Sequence, residues 1–138
     1  MTTIGEMYAA YEAEREALPF LEDVTLEIVA ATVKETKAGD GLKLVPRFRV
    51  VSGEYAGREF FAGSWATTPP AKSMTMQTLR ALGLTEEAIL GAESHEEIAA
   101  LLEGRRFVAT VQQREWGGRI WNDIPLRWIR AAGESGGE

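Results

Sequence analysis

The sequence predicts a mainly β fold with an α insert, and three observations carry that reading. Two long stretches, Leu42–Val51 and Arg105–Glu115, alternate apolar and polar residues with the period of two that a half-buried strand requires. The stretch Val24–Thr36 is rich in β-branched residues. Between the third and fourth strands, three short segments each carry a helix start signal and a closing glycine.

Along the chain, Thr3 and Glu6 have the spacing of a capping box and predict a helix to about Leu18, ended by Pro19. Ile4, Met7, Tyr8 and Tyr11 form its apolar stripe, suited to packing on the barrel or on a second subunit. Strand one, Val24–Thr36, changes parity from Val24, Leu26 and Ile28 to Val29, Ala31 and Val33, which predicts a bulge or a coiled strand that feeds both sides of a barrel. Lys37–Gly41 is a turn, Leu42–Val51 strand two, Ser52–Gly57 a second turn and Arg58–Trp65 strand three. Pro46 cannot donate to a ladder, so strand two is expected to be an edge or bulged there. In the insert, Ser73, Thr85 and Ser94 are the expected N-caps, and Gly83, Gly91 and Gly104 the closing residues. Arg105–Glu115 is strand four, Trp116-Gly117-Gly118 a hairpin turn, and Arg119–Asp123 strand five, which Leu126–Ile129 could continue.

Three strands, a helical connection and two more strands is the chain order of a five-stranded OB-fold barrel. The domain reading is an N-terminal helix over 1–19, the barrel over 20–130 with its insert at 73–103, and a tail at 131–138. Another small barrel, or an α+β sandwich on an antiparallel sheet, fits the same element order less closely.

The chain has 138 residues, 45% of them hydrophobic and 26% charged, which suits one globular domain. It has no cysteine, so disulfides, thiolate metal sites and a cysteine nucleophile are excluded. Its first residues lack the basic and apolar regions of a signal peptide, and no apolar run approaches the roughly 18 residues of a membrane span. No membrane partner is expected. The net charge of −6 is unevenly spread. Residues 84–103 hold six acids and no lysine or arginine, whereas residues 104–130 hold six bases against two acids. Residues 24–66 hold six bases against five acids, so the predicted strands are net positive. For a polyanion the local field outweighs the total.

Function is sought on the strand-two face opposite Leu42, Leu44, Pro46, Phe48 and Val50. Lys43, Arg47 and Arg49 fall there, and Lys34, Lys37, Phe61 and Trp65 are expected to extend the track. The final hairpin adds Arg114, Trp116 and Arg119. Lysine and arginine neutralise phosphates, and aromatic rings stack on bases at about 1–3 kcal/mol each. Trp121 and Trp128 are assigned to the core with Phe48 and Phe107. Gly53–Gly57 joins two strands and lacks the Lys-Ser/Thr end of a phosphate loop. His95, the single histidine, has no cysteine or second histidine to join it in metal binding or catalysis. Glu115 and Asp123 match no metal motif, so a magnesium-dependent nuclease is the weakest of the alternatives.

The run VTLEIVAATVKETKAGDGLKLVPRFRVVSGEYAGREFF carries a family resemblance, continued by Leu79-Arg80-Ala81-Leu82-Gly83, Leu102-Glu103-Gly104 and the Trp116-Gly117-Gly118 turn. Over about residues 20–129 the chain resembles a family of small phage-encoded proteins, long classed as a domain of unknown function and regarded as OB-fold single-stranded DNA-binding proteins. The resemblance implies a non-enzymatic protein without cofactor. It would bind and protect single-stranded DNA in phage replication or recombination, in the cytoplasm of the infected bacterium. By position it implicates Arg47, Arg49, Phe61 and Trp65. RNA is a second ligand that the same surface admits, and the apolar stripe leaves room for a homodimer or higher oligomer. The short tail, with Glu134 and Glu138 only, departs from the long acidic, aromatic-ended tail of many bacterial single-stranded DNA-binding proteins, so a recruiting role is not expected of it. The rival function is a protein-interaction module, an assembly or anti-host factor built on the same barrel.

Overall fold

The computed structural model describes residues 3–8, 17–116 and 118–131, with the side chains of Trp116 and Arg119 outside that set. Most of the expected N-terminal helix, Tyr11 with it, and the tail beyond Ala131 also lie outside the described residues.

After a helical turn over residues 4–8, the elements among the described residues follow in the order β1 (Leu21–Glu35), β2 (Leu42–Val50), β3 (Glu59–Phe61), β4 (Trp65–Ala66), α1 (Lys72–Ala81), α2 (Glu86–Gly91), α3 (His95–Leu102), β5 (Arg106–Trp116), β6 (Arg119–Asp123) and β7 (Arg130–Ala131). The main path of the sheet is β3-β2-β1-β5-β6, all antiparallel, with β4 also on β2 and β7 also on β5. The sheet curls into a nearly closed barrel whose open seam lies between the β3 and β6 ends of that path.

Alternation makes the core. Leu44, Phe48 and Val50 of β2, Leu26 and Ile28 of β1, and Phe107, Ala109 and Val111 of β5 are all buried, as the apolar spacing requires. Phe48 sits at the centre, with its ring 5.5 Å from Phe60, 5.8 Å from Phe107 and 6.1 Å from Trp65. Leu79, Leu82, Leu84 and Leu102 extend this core into the helices.

The bulge in β1 is where the change of parity puts it. Pairing with β2 shifts register between Ile28 and Ala30, leaving Val29 as the extra residue. Beyond it, Ala31 and Val33 turn toward the core. At the same point β1 parts from β5: the Ile28 amide donates to the Arg105 carbonyl at 2.9 Å, and the Gly104 amide donates to the Ile28 carbonyl at 2.8 Å. One strand thereby serves both sides of the barrel. Pro46 sits in a paired stretch of β2 opposite Ala31, where the ring is buried.

Three expectations are corrected. The third strand is not continuous, because Gly63, at a φ of +88° open to glycine, turns the chain between β3 and β4. Ser73 lies inside α1 and accepts from Gln77 Nε2; the helix instead starts from a 3₁₀ turn at Pro69–Ala71, since proline suits an N-terminal turn. Leu126–Trp128 is a 3₁₀ turn and not a strand; only Arg130–Ala131 returns to pair with β5.

The caps on α2 and α3 form as spaced. Thr85 accepts from the Ala88 amide and Ser94 from the Glu97 amide. Gly83, at a φ of +100°, ends α1 with the two reversed hydrogen bonds of a Schellman motif: its own amide to Arg80, and Leu84 to Leu79. Thr3 and Glu6 exchange both bonds of the capping box, at 3.1 and 3.2 Å. Ile4 and Met7 of that turn are exposed.

Leu18 plugs the barrel ahead of β1. Its backbone is clamped by Asn122, whose Oδ1 accepts from the Leu18 amide at 2.9 Å while Nδ2 donates to the Leu18 carbonyl at 2.9 Å and the Gln112 carbonyl at 3.2 Å. Gln113 Nε2 donates to the same Leu18 carbonyl. Removing Asn122 leaves the Leu18 amide orphaned beside a buried side chain. Asn122→Ala should therefore lower unfolding stability by about 1–3 kcal/mol, read as a lower urea midpoint with the m-value unchanged. An unaltered midpoint would show that the clamp contributes nothing.

Candidate nucleic-acid interface

The outer face of β1, β2 and β3 collects the residues left over when the apolar set turns inward. Cross-strand register sets them in rows. In one row Glu27 stands between Arg106 on β5 and Arg49 on β2, and Arg49 faces Glu59 on β3. Glu27 Oε1 accepts from Arg106 Nε at 3.0 Å, and its Oε2 accepts from Arg49 at 2.9 Å. Arg47 Nε stands 3.3 Å from Glu59 Oε1. The outer face here is a ladder of alternating charge, and the two arginines expected to act as a bare cationic track are each engaged by a carboxylate. Only 16% of the Glu27 side chain is exposed. The Arg106 hydrogen bond, aided by the charges of Arg49 and Arg106, holds its carboxyl below the usual glutamate range despite the opposing effect of desolvation.

The lysine end differs. Lys34 and Lys43 are directly opposite each other across β1 and β2. Lys37 follows in the turn. None of the three has a carboxylate within salt-bridge distance among the described residues. Directly opposed like charges on a sheet are destabilising. The Phe61 ring is 58% exposed, on the same outer face, opposite Arg47. Lys43 lies four positions before Arg47 on β2, about 13 Å at the strand rise.

Trp65 is not on this face. Phe61 pairs with Arg47, but Trp65 pairs with Leu44, so the register slips by one residue across Ala62-Gly63-Ser64. Such a slip moves a side chain to the other side of the sheet. The indole lies edge-on to Phe48 and packs against the core. It also forms a wall of a cleft of about 450 Å³ at the open seam, and Arg114 lines the same cleft. The ten residues named from sequence thus divide. Lys34, Lys37, Lys43, Arg47, Arg49 and Phe61 share the outer face or its turn, and Trp65 with Arg114 shares the seam. The side chains of Trp116 and Arg119 lie outside the described residues, although their backbones pair across the hairpin turn.

Trp121, assigned to the core from sequence, is 46% exposed. The reason is that β6 pairs with the outer half of β5 alone, beyond the part of β5 that β1 covers. Trp128 is half-buried and stacks under the Arg127 guanidinium at 4.6 Å. Arg106, Glu27 and Glu59 were not singled out from sequence, although Glu27 shows the right parity, between the buried Leu26 and Ile28. The His95 ring is tied to the fold: Thr67 Oγ1 donates to the Leu42 carbonyl and so accepts from His95 Nε2, at 2.8 Å. Among the described residues no three acidic or histidine side chains converge to hold a metal ion, and no helix is long and apolar enough to cross a membrane.

No protein-family model matches the chain, and no curated protein matches it either.

The Glu27 carboxylate makes a pH-dependent contribution of fixed sign. A group whose pKa is lowered by folding stabilises the fold above its unfolded value, about 4.3 for glutamate. That stabilisation is lost as pH falls through the lowered folded value. Glu27→Gln should be less stable than the parent protein at pH 7, and the gap should close on acidification below the glutamate range. Denaturant titrations across that range test this; a gap independent of pH would mean that the ion pairs with Arg106 and Arg49 add no stability.

Proposed function

We propose that the protein binds single-stranded nucleic acid, without sequence preference, on the outer face of β1, β2 and β3. The observation that carries the reading is the opposed pair Lys34 and Lys43, with Lys37 beside them and the exposed Phe61 ring further along the same face. A polyanion supplies the negative charge that the fold withholds from these lysines, and stacking on Phe61 is indifferent to base identity. Arg47, Arg49 and Arg106 have two carboxylates among three guanidiniums, so this row adds a weaker field to the same surface. The strand path β3-β2-β1-β5-β6, with helices between β4 and β5, supports an OB-type barrel, in which the faces of the second and third strands are the usual binding surface. The likeness to phage single-stranded DNA-binding proteins rests on the sequence run alone, and with it the roles in phage replication and recombination and the place in the infected cell.

The second reading, a protein-interaction module, draws on Ile4 and Met7, which the capping box holds in an exposed helical turn. It requires that oligonucleotides leave the protein indifferent.

Anisotropy of an end-labelled, mixed-sequence single strand, titrated at several salt concentrations beside the matching duplex, separates the two. The single strand should bind, and binding should weaken with salt at a log–log slope of about −0.7 per neutralised phosphate. Lys34→Ala with Lys43→Ala should reduce the magnitude of that slope by about 1.4 if each lysine neutralises one phosphate. Phe61→Ala should weaken binding by about 1–3 kcal/mol with an unchanged slope. A slope unaffected by the double variant would move the site off this face, and no binding at all would leave the protein-interaction reading.

A further inference from the structure

The cleft at the open seam borders both residues named as site candidates, Trp65 and Arg114, and the core. The partly exposed Trp65 indole is its aromatic wall, backed by the buried rings of Phe48 and Phe107. Its volume of about 450 Å³ is within the range of small-molecule sites, and its lining is mostly apolar with a few polar groups, the usual make-up of such sites. Its two charged residues are of opposite sign. Arg114 is exposed at the rim, and Asp123 is half-buried beside Ile124. The two are not within ion-pair distance of each other in any described contact, so each is available to a ligand.

The cleft also continues the outer face. The segment Ala62-Gly63-Ser64 carries the chain from the exposed Phe61 to the inward-facing Trp65, and all three residues line the cleft. A strand that passes Phe61 and rounds the β3 edge therefore arrives at the mouth of the cleft. No other strand covers that edge among the described residues, because the path of the sheet ends at β3.

We propose that this cleft takes a single unstacked nucleotide of the bound strand. The base enters against Trp65, the 5′-phosphate meets Arg114, and Asp123 accepts from an N–H of the base edge. An aromatic wall supplies stacking, a guanidinium matches a phosphate in two parallel hydrogen bonds, and a carboxylate acts only as an acceptor. A purely apolar ligand would leave both charges unused, and a bare phosphate would leave the Trp65 wall unused. This inference rests on the nucleic-acid reading, but the two fail separately.

The test uses the intact protein, labelled for amide and indole N–H spectra, with nucleoside monophosphates as probes and deoxyribose 5-phosphate as the baseless control. Monophosphates should shift the Gly63, Ser64 and Trp65 signals in a saturable way, and the baseless sugar phosphate should not. Arg114→Gln, an exposed change, should weaken the response at least severalfold while leaving the spectrum otherwise native. Ala71→Phe, which projects a ring into the cleft, should abolish it; if that variant fails to fold, Arg114→Gln alone decides. With a single-stranded oligonucleotide, shifts at Phe61 without shifts at Gly63 to Trp65 would overturn the cleft proposal and leave the outer-face reading intact. Equal responses to monophosphate and baseless sugar phosphate would overturn it too, as phosphate binding alone. A monophosphate response without oligonucleotide binding would overturn both the outer-face reading and the proposal that the cleft takes a nucleotide of a bound strand, leaving a site for free nucleotides.

Discussion

The register of β2 against its neighbours decides what surfaces this protein has. Side chains alternate strictly along a strand, so one extra residue on a partner strand exchanges inside for outside. Two such slips occur around β2. The first, at Val29 in β1, lets a single strand feed the core from Leu26 and Ile28 and then from Ala31 and Val33. The second, across Ala62-Gly63-Ser64, sends Trp65 inward after Phe61 has pointed outward. Without the first the barrel would lose half of β1 as lining. Without the second there would be no aromatic wall at the seam and two rings on the outer face.

The charge on the outer face follows from the same register. Glu27 lies opposite Arg49 and Arg106 because the pairing offsets put it there, and Glu59 lies opposite Arg49 by the offset on the far side. Farther along β2, that frame sets Lys43 against Lys34, with no carboxylate within salt-bridge distance among the described residues. The sheet can thus be read in two zones: one in which opposed charges satisfy each other and contribute to stability, and one in which like charges remain uncompensated. Proteins retain such costs at sites more often than elsewhere.

Much of this was legible in the sequence where the signal was periodic. The core positions of β2 and β5, the bulge in β1 and the caps at Thr85 and Ser94 all follow from spacing and side-chain chemistry. The failures have a common cause, in that periodicity stops at a break it does not announce. Phe61 and Trp65 have equal parity, and only the positive φ of Gly63, which alternation does not encode, separates them. Trp121 resembles a core residue by composition, but β6 extends past the strands that would cover it, and that is a matter of relative strand length. Counter-charges were missed differently. Glu27 could be placed on the outer face by parity, but its two arginines come from strands far away in sequence, and pairing partners are a tertiary property.

The choice of lysine at the uncompensated end bears on what the surface can select. Lysine presents a compact, strongly hydrated charge on a flexible stem, whereas arginine offers a planar fork suited to fixed bidentate contacts. On this face the arginines are engaged by carboxylates and the lysines face one another. On the proposed reading, a phosphate chain meeting Lys34, Lys37 and Lys43 would be held by point charges that tolerate variation in backbone path, which favours affinity without sequence discrimination. The protein's net charge of −6 sharpens that behaviour. At physiological salt the screening length is about 8 Å, so the basic zone acts on a polyanion only at short range, while the acidic remainder gives no long-range attraction. On the proposed nucleic-acid reading, capture would then depend on several contacts made at once along the face, which a flexible single strand can reach and a stiff duplex meets with fewer phosphates.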